Sequence, residues 1–193
     1  EKANEMYKNF SYVDAIKIYE RIAQKGFVNQ EMLQSLGNAY YYNAEYKKAL
    51  PWYEQLFQEG KYKVKPEYYY RYAQTLKSVG DYTQADKMMA KFVELTNAND
   101  TRAALFLKNR DYQAEIKRNS DRLELNLLNI NTKKSEYGTA FYGDNIVYAT
   151  SKSGFLKRRS DWTGDNFYSL YEANTDSLKA TKKAKLNGIN TKF

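Results

Sequence analysis

The sequence predicts an α+β multidomain chain, an N-terminal α-solenoid of about three helical hairpins followed by a short run of antiparallel β strands. Three observations predict it. Small residues recur in phase: Ala15, Ala49 and Ala85 are separated by 49 − 15 = 34 and 85 − 49 = 36 residues, and Ala3, Gly37 and Ala73 repeat the same intervals. Between them apolar residues return at helical spacing, as in Val13, Ile16, Tyr19, Ile22 and Ala23. Near Ser120 the period changes, and Leu123, Leu125 and Leu127 alternate. A helical hairpin cannot bury its apolar face alone, so about three must stack.

Each element has its own signals. Residues 1–9 make a first short helix. Ser11 is placed to cap the second, with Asp14 three residues on in a box-like arrangement, and Lys25-Gly26 ends it, Gly taking a left-handed position. The second hairpin spans Gln30 to Glu59 and closes at Gly60. Pro51 lies early enough in its second helix to bend without breaking it. Lys61–Lys65 is a basic linker, and Pro66 opens the third hairpin at a first-turn position. That hairpin passes Gly80-Asp81 and ends near Thr96. Asn97–Asp100 is a turn and cap signal before a shorter pair, Thr101–Asn109 and Tyr112–Asn119, which has lost the repeat spacing and is expected to cap the stack. Domain boundaries follow at 1–119 and 120–193.

In the second part, Gly143-Asp144-Asn145 separates two strand-like runs and predicts a hairpin. Asn166–Thr175 and Ala184–Ile189 are two more candidate strands, with Gly154–Gly164 and a basic turn at Lys179–Lys183 between them. Four short strands form one small sheet with open edges, which is expected to be part of a larger domain.

Composition excludes several chemistries. The chain has 193 residues, 42% hydrophobic, with 20 Tyr but no Cys and no His. Disulfides, thiol nucleophiles, zinc sites of the usual kind and imidazole acid–base catalysis are therefore unavailable. The net charge of +8 is spread evenly, 19 basic against 15 acidic groups in 1–119 and 12 against 8 in 120–193, which argues poorly for a dedicated nucleic-acid face. No apolar run approaches the roughly 20 residues that span a bilayer. With Glu1 already in a helical pattern, the start is read as that of a mature or trimmed product.

Leu36-Gly37, Tyr40, Tyr46, Ala49 and Tyr53 form a pattern that resembles the tetratricopeptide repeat, a 34-residue helical hairpin. Ser135–Gly143, running into Ile146–Ser151, looks like the opening blade of a WD40-like (PD40) β-propeller, and Asn187–Phe193 resembles the lead-in to a next blade. Hairpins followed by such a blade are similar to the start of large Gram-negative envelope proteins of the OmpA family, of the kind found in Bacteroidota. The resemblance implies a periplasmic, outer-membrane-associated scaffold accompanying type IX secretion and gliding machinery. Its protein partner would be an outer-membrane barrel or a component of a secreted-adhesin complex. Peptidoglycan anchoring would come from a C-terminal OmpA-like region, so it falls on no residue here.

In such repeats the first helices line a concave groove. Aligning the hairpins places Asn4, Tyr7, Lys8, Gln34, Asn38, Tyr41, Tyr42, Tyr70, Gln74 and Lys77 on its wall, where aromatic and amide groups grip an extended peptide or a helix. The bland alternative is a solvated wall or one filled by the same chain. The carboxylate clamp of some relatives is matched by Asn4 and Arg71 only; Ser35 and Glu67 replace its other groups, and it is rejected.

The basic clusters Lys157-Arg158-Arg159, beside Trp162, and Lys182-Lys183-Lys185 fit solvated loops better than a phosphate or lipid site. Asp144, Asp161 and Asp165 lack EF-hand spacing and suit turns. No metal or cofactor is expected, no catalytic constellation stands on a recognisable scaffold, and the chain is read as no enzyme. Two other classes stay open: a module self-assembling through an open sheet edge, and a basic surface for anionic lipid or nucleic acid.

Overall fold

The computed structural model describes residues 1–58, 61–97, 99–122, 124–151, 159–175 and 180–183; of 121 and 180–183 it describes the backbone alone. Gly60, Lys157, Arg158, Lys185, the Ala184–Ile189 strand and the Asn187–Phe193 segment lie outside the described residues. Two compact units are present. One holds Glu1–Asn119 with Asp161–Thr163, the other Ser120–Ser160 with Gly164–Phe193.

The helical unit contains, among the described residues, α1 (Lys2–Lys8), α2 (Tyr12–Gln24), α3 (Gln30–Tyr42), α4 (Tyr46–Leu56), α5 (Pro66–Ser78), α6 (Tyr82–Thr96), α7 (Thr101–Lys108) and α8 (Tyr112–Asn119). Every small residue of the repeat is buried: Ala3, Gly37 and Ala73 on the first helices, Ala15, Ala49 and Ala85 on the second. Ala15, Ala49 and Ala85 have no exposed surface at all, because a larger side chain there would push the paired helices apart. At Gly37 the approach is closest. A Cβ built there would sit 2.7 Å from Cε1 of Tyr53, which is itself fully buried.

Turn chemistry sets the helix boundaries. Pro66 occupies the first turn of α5, and Asp81 and Asp100 cap α6 and α7 by accepting from Gln84 N and Arg102 N. Pro51 lies inside α4 without interrupting it. Ser11 departs from expectation: its side chain makes no capping bond, and Asp14 pairs with Lys17 at 2.8 Å, one turn along the same helix.

The residue before each hairpin's second helix is reached through a left-handed turn position. Gly80 fills it in the third hairpin with φ +91°, but Ala44 (φ +56°) and Phe10 (φ +59°) fill it in the other two. These positions share the repeat phase, 44 − 10 = 34 and 80 − 44 = 36. Glycine is the residue suited to them, and an L side chain costs about 1–2 kcal/mol.

The fourth helical pair differs from the three before it. Ala103 of α7 is buried against Ala73, Met89 and Phe92, but α8 buries none of its residues. The pair does not close as a packed hairpin, consistent with its lost spacing.

The other unit is a four-stranded antiparallel sheet in chain order: β1 (Glu136–Tyr142), β2 (Asn145–Thr150), β3 (Ser169–Asn174) and β4 (Ala180–Lys183). Gly143-Asp144 makes the two-residue turn between β1 and β2, Gly143 taking φ +58° as the first central residue of a II′-type turn requires. Ile146, Tyr148 and Ala173 pack with Ile130 as the sheet's core. Ala180–Lys183, within the basic turn expected at Lys179–Lys183, is a strand, and Lys179 lies outside the described residues. Ala180–Lys183 pairs with β3, Glu172 standing opposite Lys182, a charge pattern that suits strand pairing. Leu125 and Leu127 belong to no strand and are 91% exposed, so their alternation was no sign of burial. Asp144, Asp161 and Asp165 do not converge, and no metal-holding group occurs among the described residues.

Candidate functional site

The wall made by α1, α3 and α5 carries a repeated polar device. Tyr19 Oη donates to Asn4 Oδ1 at 2.6 Å, and Tyr53 Oη donates to Asn38 Oδ1 at 2.9 Å. The pairs are 34 residues apart, 38 − 4 and 53 − 19. Each ties a first helix to the second helix of its own hairpin. Asn38 also donates to Tyr7 Oη at 3.1 Å, joining the first hairpin to the second. It is only 3% exposed, so Asn38 belongs to the core and is removed from the candidate partner surface. Tyr7 is half-buried, and burial pushes its hydroxyl up to about 12.

The third hairpin lacks this device. Its equivalent positions, 38 + 36 = 74 and 53 + 36 = 89, hold Gln74 and Met89, and a thioether cannot donate. A cleft of about 230 Å³ opens there, lined by Gln74, Met89, Tyr70, Lys77, Arg102 and Phe106, with Tyr112 at its edge. Of the expected wall residues, the structure brings Tyr70, Gln74 and Lys77 together in this cleft.

Two cations shape it. Arg102 lies 4.3 Å over the Tyr70 ring and 5.0 Å over Phe92. Its guanidinium binds both Asp100 oxygens, at 3.0 and 2.9 Å, and both Glu67 oxygens, at 3.2 and 2.9 Å. Those bonds hold Asp100 down at about 2 and raise Arg102 above its ordinary value. Glu67, set aside above as repelling a carboxylate, is thus a partner of Arg102 and, at 3.3 Å, of Arg71. Lys77 sits 4.0 Å over the Tyr112 ring, its pKa lowered by burial. Tyr112 Oη donates to Asp86 at 2.9 Å; burial first and that bond second raise it to about 12. Aromatic faces and pre-positioned cations thus lie side by side in the cleft.

The remaining wall residues are distributed. Asn4 donates to Glu31 at 2.7 Å and borders a shallow hollow of about 570 Å³ with Tyr19, Ile22, Phe27 and Met32. Lys8 is exposed and Gln34 half-buried. Tyr41 packs edge-on to Tyr42 and Tyr46, and burial pushes it up to about 12. Tyr42 lies under Arg71 at 5.0 Å. Sequence reasoning missed Arg102. Its distance from Glu67 in the chain hides the pairing, although cap residue Asp100 two positions earlier marks where α7 starts. It also set Trp162 beside a basic cluster, whereas Trp162 packs on Phe10, Tyr12 and Tyr42 in the helical unit.

Three hairpins in register, with buried small residues at both repeat positions, define a tetratricopeptide-like helical-repeat chain. No family model and no curated protein matches it. Among solved structures it is similar to the C-terminal part of a TPR repeat-containing protein from Cytophaga hutchinsonii, with 19% identity and a TM-score of 0.49 over 66% of this chain and 52% of that one. The chain spans about half the length of that structure.

Proposed function

We propose that the chain is a non-catalytic scaffold whose helical wall docks a protein partner, the contact centred on the cleft of the third hairpin. The observation that carries this is the cleft's lining, which gathers Tyr70, Phe106 and the cations Lys77 and Arg102 at the hairpin that lacks the Asn–Tyr bond. Repeat stacks present rigid extended surfaces and seldom serve chemistry. Affinity comes from desolvating Tyr70, Phe106 and the stem of Lys77 against apolar partner groups.

The wider setting follows from the resemblance of Ser135–Ser151 to a PD40 blade. A four-stranded sheet with neighbours in chain order is the strand arrangement of a propeller blade, which supports that reading. On it, the chain is the N-terminal part of a periplasmic, outer-membrane-associated OmpA-family protein, serving a secretion or gliding-adhesin complex.

The test places a photo-cross-linking residue at Tyr70 or, on an outer helix, at Glu94, in cells that make the protein. A discrete protein adduct from position 70 and none from 94 is expected. Adducts from neither position, or equal adducts from both, sink the assignment. A second reading is favoured by one observation: outer strand β1 leaves Phe141 84% and Tyr142 65% exposed. Edge-to-edge self-assembly would then raise the sedimentation coefficient with concentration, and a persistent monomer excludes it.

A further inference from the structure

The turn between α1 and α2 holds a bulky residue where the backbone calls for glycine. Phe10 takes φ +59° and leaves its ring 57% exposed. A strained aromatic at the surface is unusual, and strain of this kind collects at binding positions. The ring is used. Trp162 lies flat on it, with centroids 5.6 Å apart and planes 6° from parallel. Tyr12 meets the same indole edge-on at 4.9 Å and Tyr42 at 6.3 Å.

The backbone around the indole is held as well. Val13 N, in the first turn of α2 where amides lack a helical acceptor, donates to Asp161 O at 3.3 Å. Asn43 Nδ2 donates to Trp162 O at 3.0 Å. Oδ1 of Asn43 is buried and finds no donor among the described residues, leaving one acceptor for a peptide N–H. Phe10, Tyr12 and Tyr42 thus form a three-sided aromatic nest, and two amides grip consecutive carbonyls of the segment that enters it. These are the contacts of peptide recognition, one large anchor plus main-chain bonds that ignore the flanking side chains.

We propose that this nest is a tryptophan-peptide docking site, held in this chain by its own Asp161-Trp162-Thr163, and that a partner segment presenting Trp in the same setting exchanges with it. It lies apart from the third-hairpin cleft and does not depend on that reading. A tethered occupant competes at an effective concentration of about millimolar, so a free peptide exchanges into the intact chain more weakly than into a chain without Trp162.

The test uses the full chain and a dye-labelled peptide, Ser-Asp-Trp-Thr-Gly, followed by fluorescence anisotropy. Trp162→Ala is expected to bind the peptide saturably, at least ~10-fold more tightly than the parent chain, with a dissociation constant on the order of 0.1 mM. The Trp→Ala peptide should not bind. Phe10→Gly removes the platform while suiting the backbone, so Trp162→Ala with Phe10→Gly should fold and lose the peptide. No binding to a folded Trp162→Ala chain, equal binding to the parent, or binding that survives Phe10→Gly overturns the proposal. Should Trp162→Ala fail to fold by circular dichroism, acrylamide quenching of Trp162 in a Trp52→Phe chain decides: a rate equal to that of the free peptide shows an empty nest and overturns it, and a lower rate supports it.

Discussion

Replacing Gly37 by Ala adds a methyl group and should destabilise the helical unit, although alanine is the better helix former. The new Cβ would lie 2.7, 2.9 and 3.1 Å from Cε1, Cδ1 and Cζ of Tyr53. Tyr53 is fully buried, and its hydroxyl is fixed to Asn38. The ring has nowhere to retreat without leaving that bond. Helix propensity favours Ala by about 1 kcal/mol. Overpacking costs about 1–3 kcal/mol, and stranding the buried Asn38 oxygen a further ~1–3 kcal/mol. The net is a loss of about 3 kcal/mol, a fall in Tm on the order of 12 °C for a unit this size. Urea unfolding followed by far-UV circular dichroism measures it. Adding Tyr53→Leu removes the obstructing ring atoms, so the double variant should be less destabilised than the sum of the singles by about 3 kcal/mol. A Gly37→Ala chain as stable as its parent would refute the close-approach account.

Three further outcomes are expected. Tyr53→Phe leaves a buried amide oxygen unpaired and should cost about 1–3 kcal/mol, whereas Met89→Leu at the equivalent third-hairpin position should cost less than about 1.5 kcal/mol, both read from chemical denaturation. Ala44→Gly relieves the left-handed turn and should raise stability by about 1 kcal/mol, seen as a higher urea midpoint. Stability should fall as pH rises from 10. Burial raises Tyr7, Tyr41 and Tyr72 to about 12 in the fold, while the unfolded chain ionises near 10, so their contribution is whole below pH 10 and lost by pH 12. The slope is on the order of 1 kcal/mol per tyrosine per pH unit, and a flat ellipticity to pH 12 would contradict it.

Much of this was legible in the sequence, and the reasons are local. A repeat phase exposes small buried residues because nothing larger fits at Ala15, Ala49 and Ala85. Pro66, Asp81, Asp100 and Gly143 act within a few residues of themselves, so their positions could be read directly. Contacts between distant residues were not legible. Arg102 meets Glu67 across 35 residues, and Trp162 meets Phe10 across a far longer interval. Asn38 looked like a wall residue because its helix phase faces the wall. Only the neighbouring Tyr7 and Tyr53 hydroxyls turn it into core. β4 was taken for a turn because its lysines mask a strand whose partner, β3, supplies the pairing.

Helix α8 buries no residue, yet Tyr112 at its start closes one edge of the cleft and rests beneath Lys77. Its opening therefore draws on few contacts and requires little of the stack to move. On the docking proposed for the cleft, an occupant adds to that short inventory and should favour the docked α8. By linkage, the amide-exchange rates of residues 112–119 become a gauge of occupancy, slowing in proportion to ligand bound without any probe attached to the ligand. On that reading an unmodified chain carries its own indicator in α8, one that weak partners should also move.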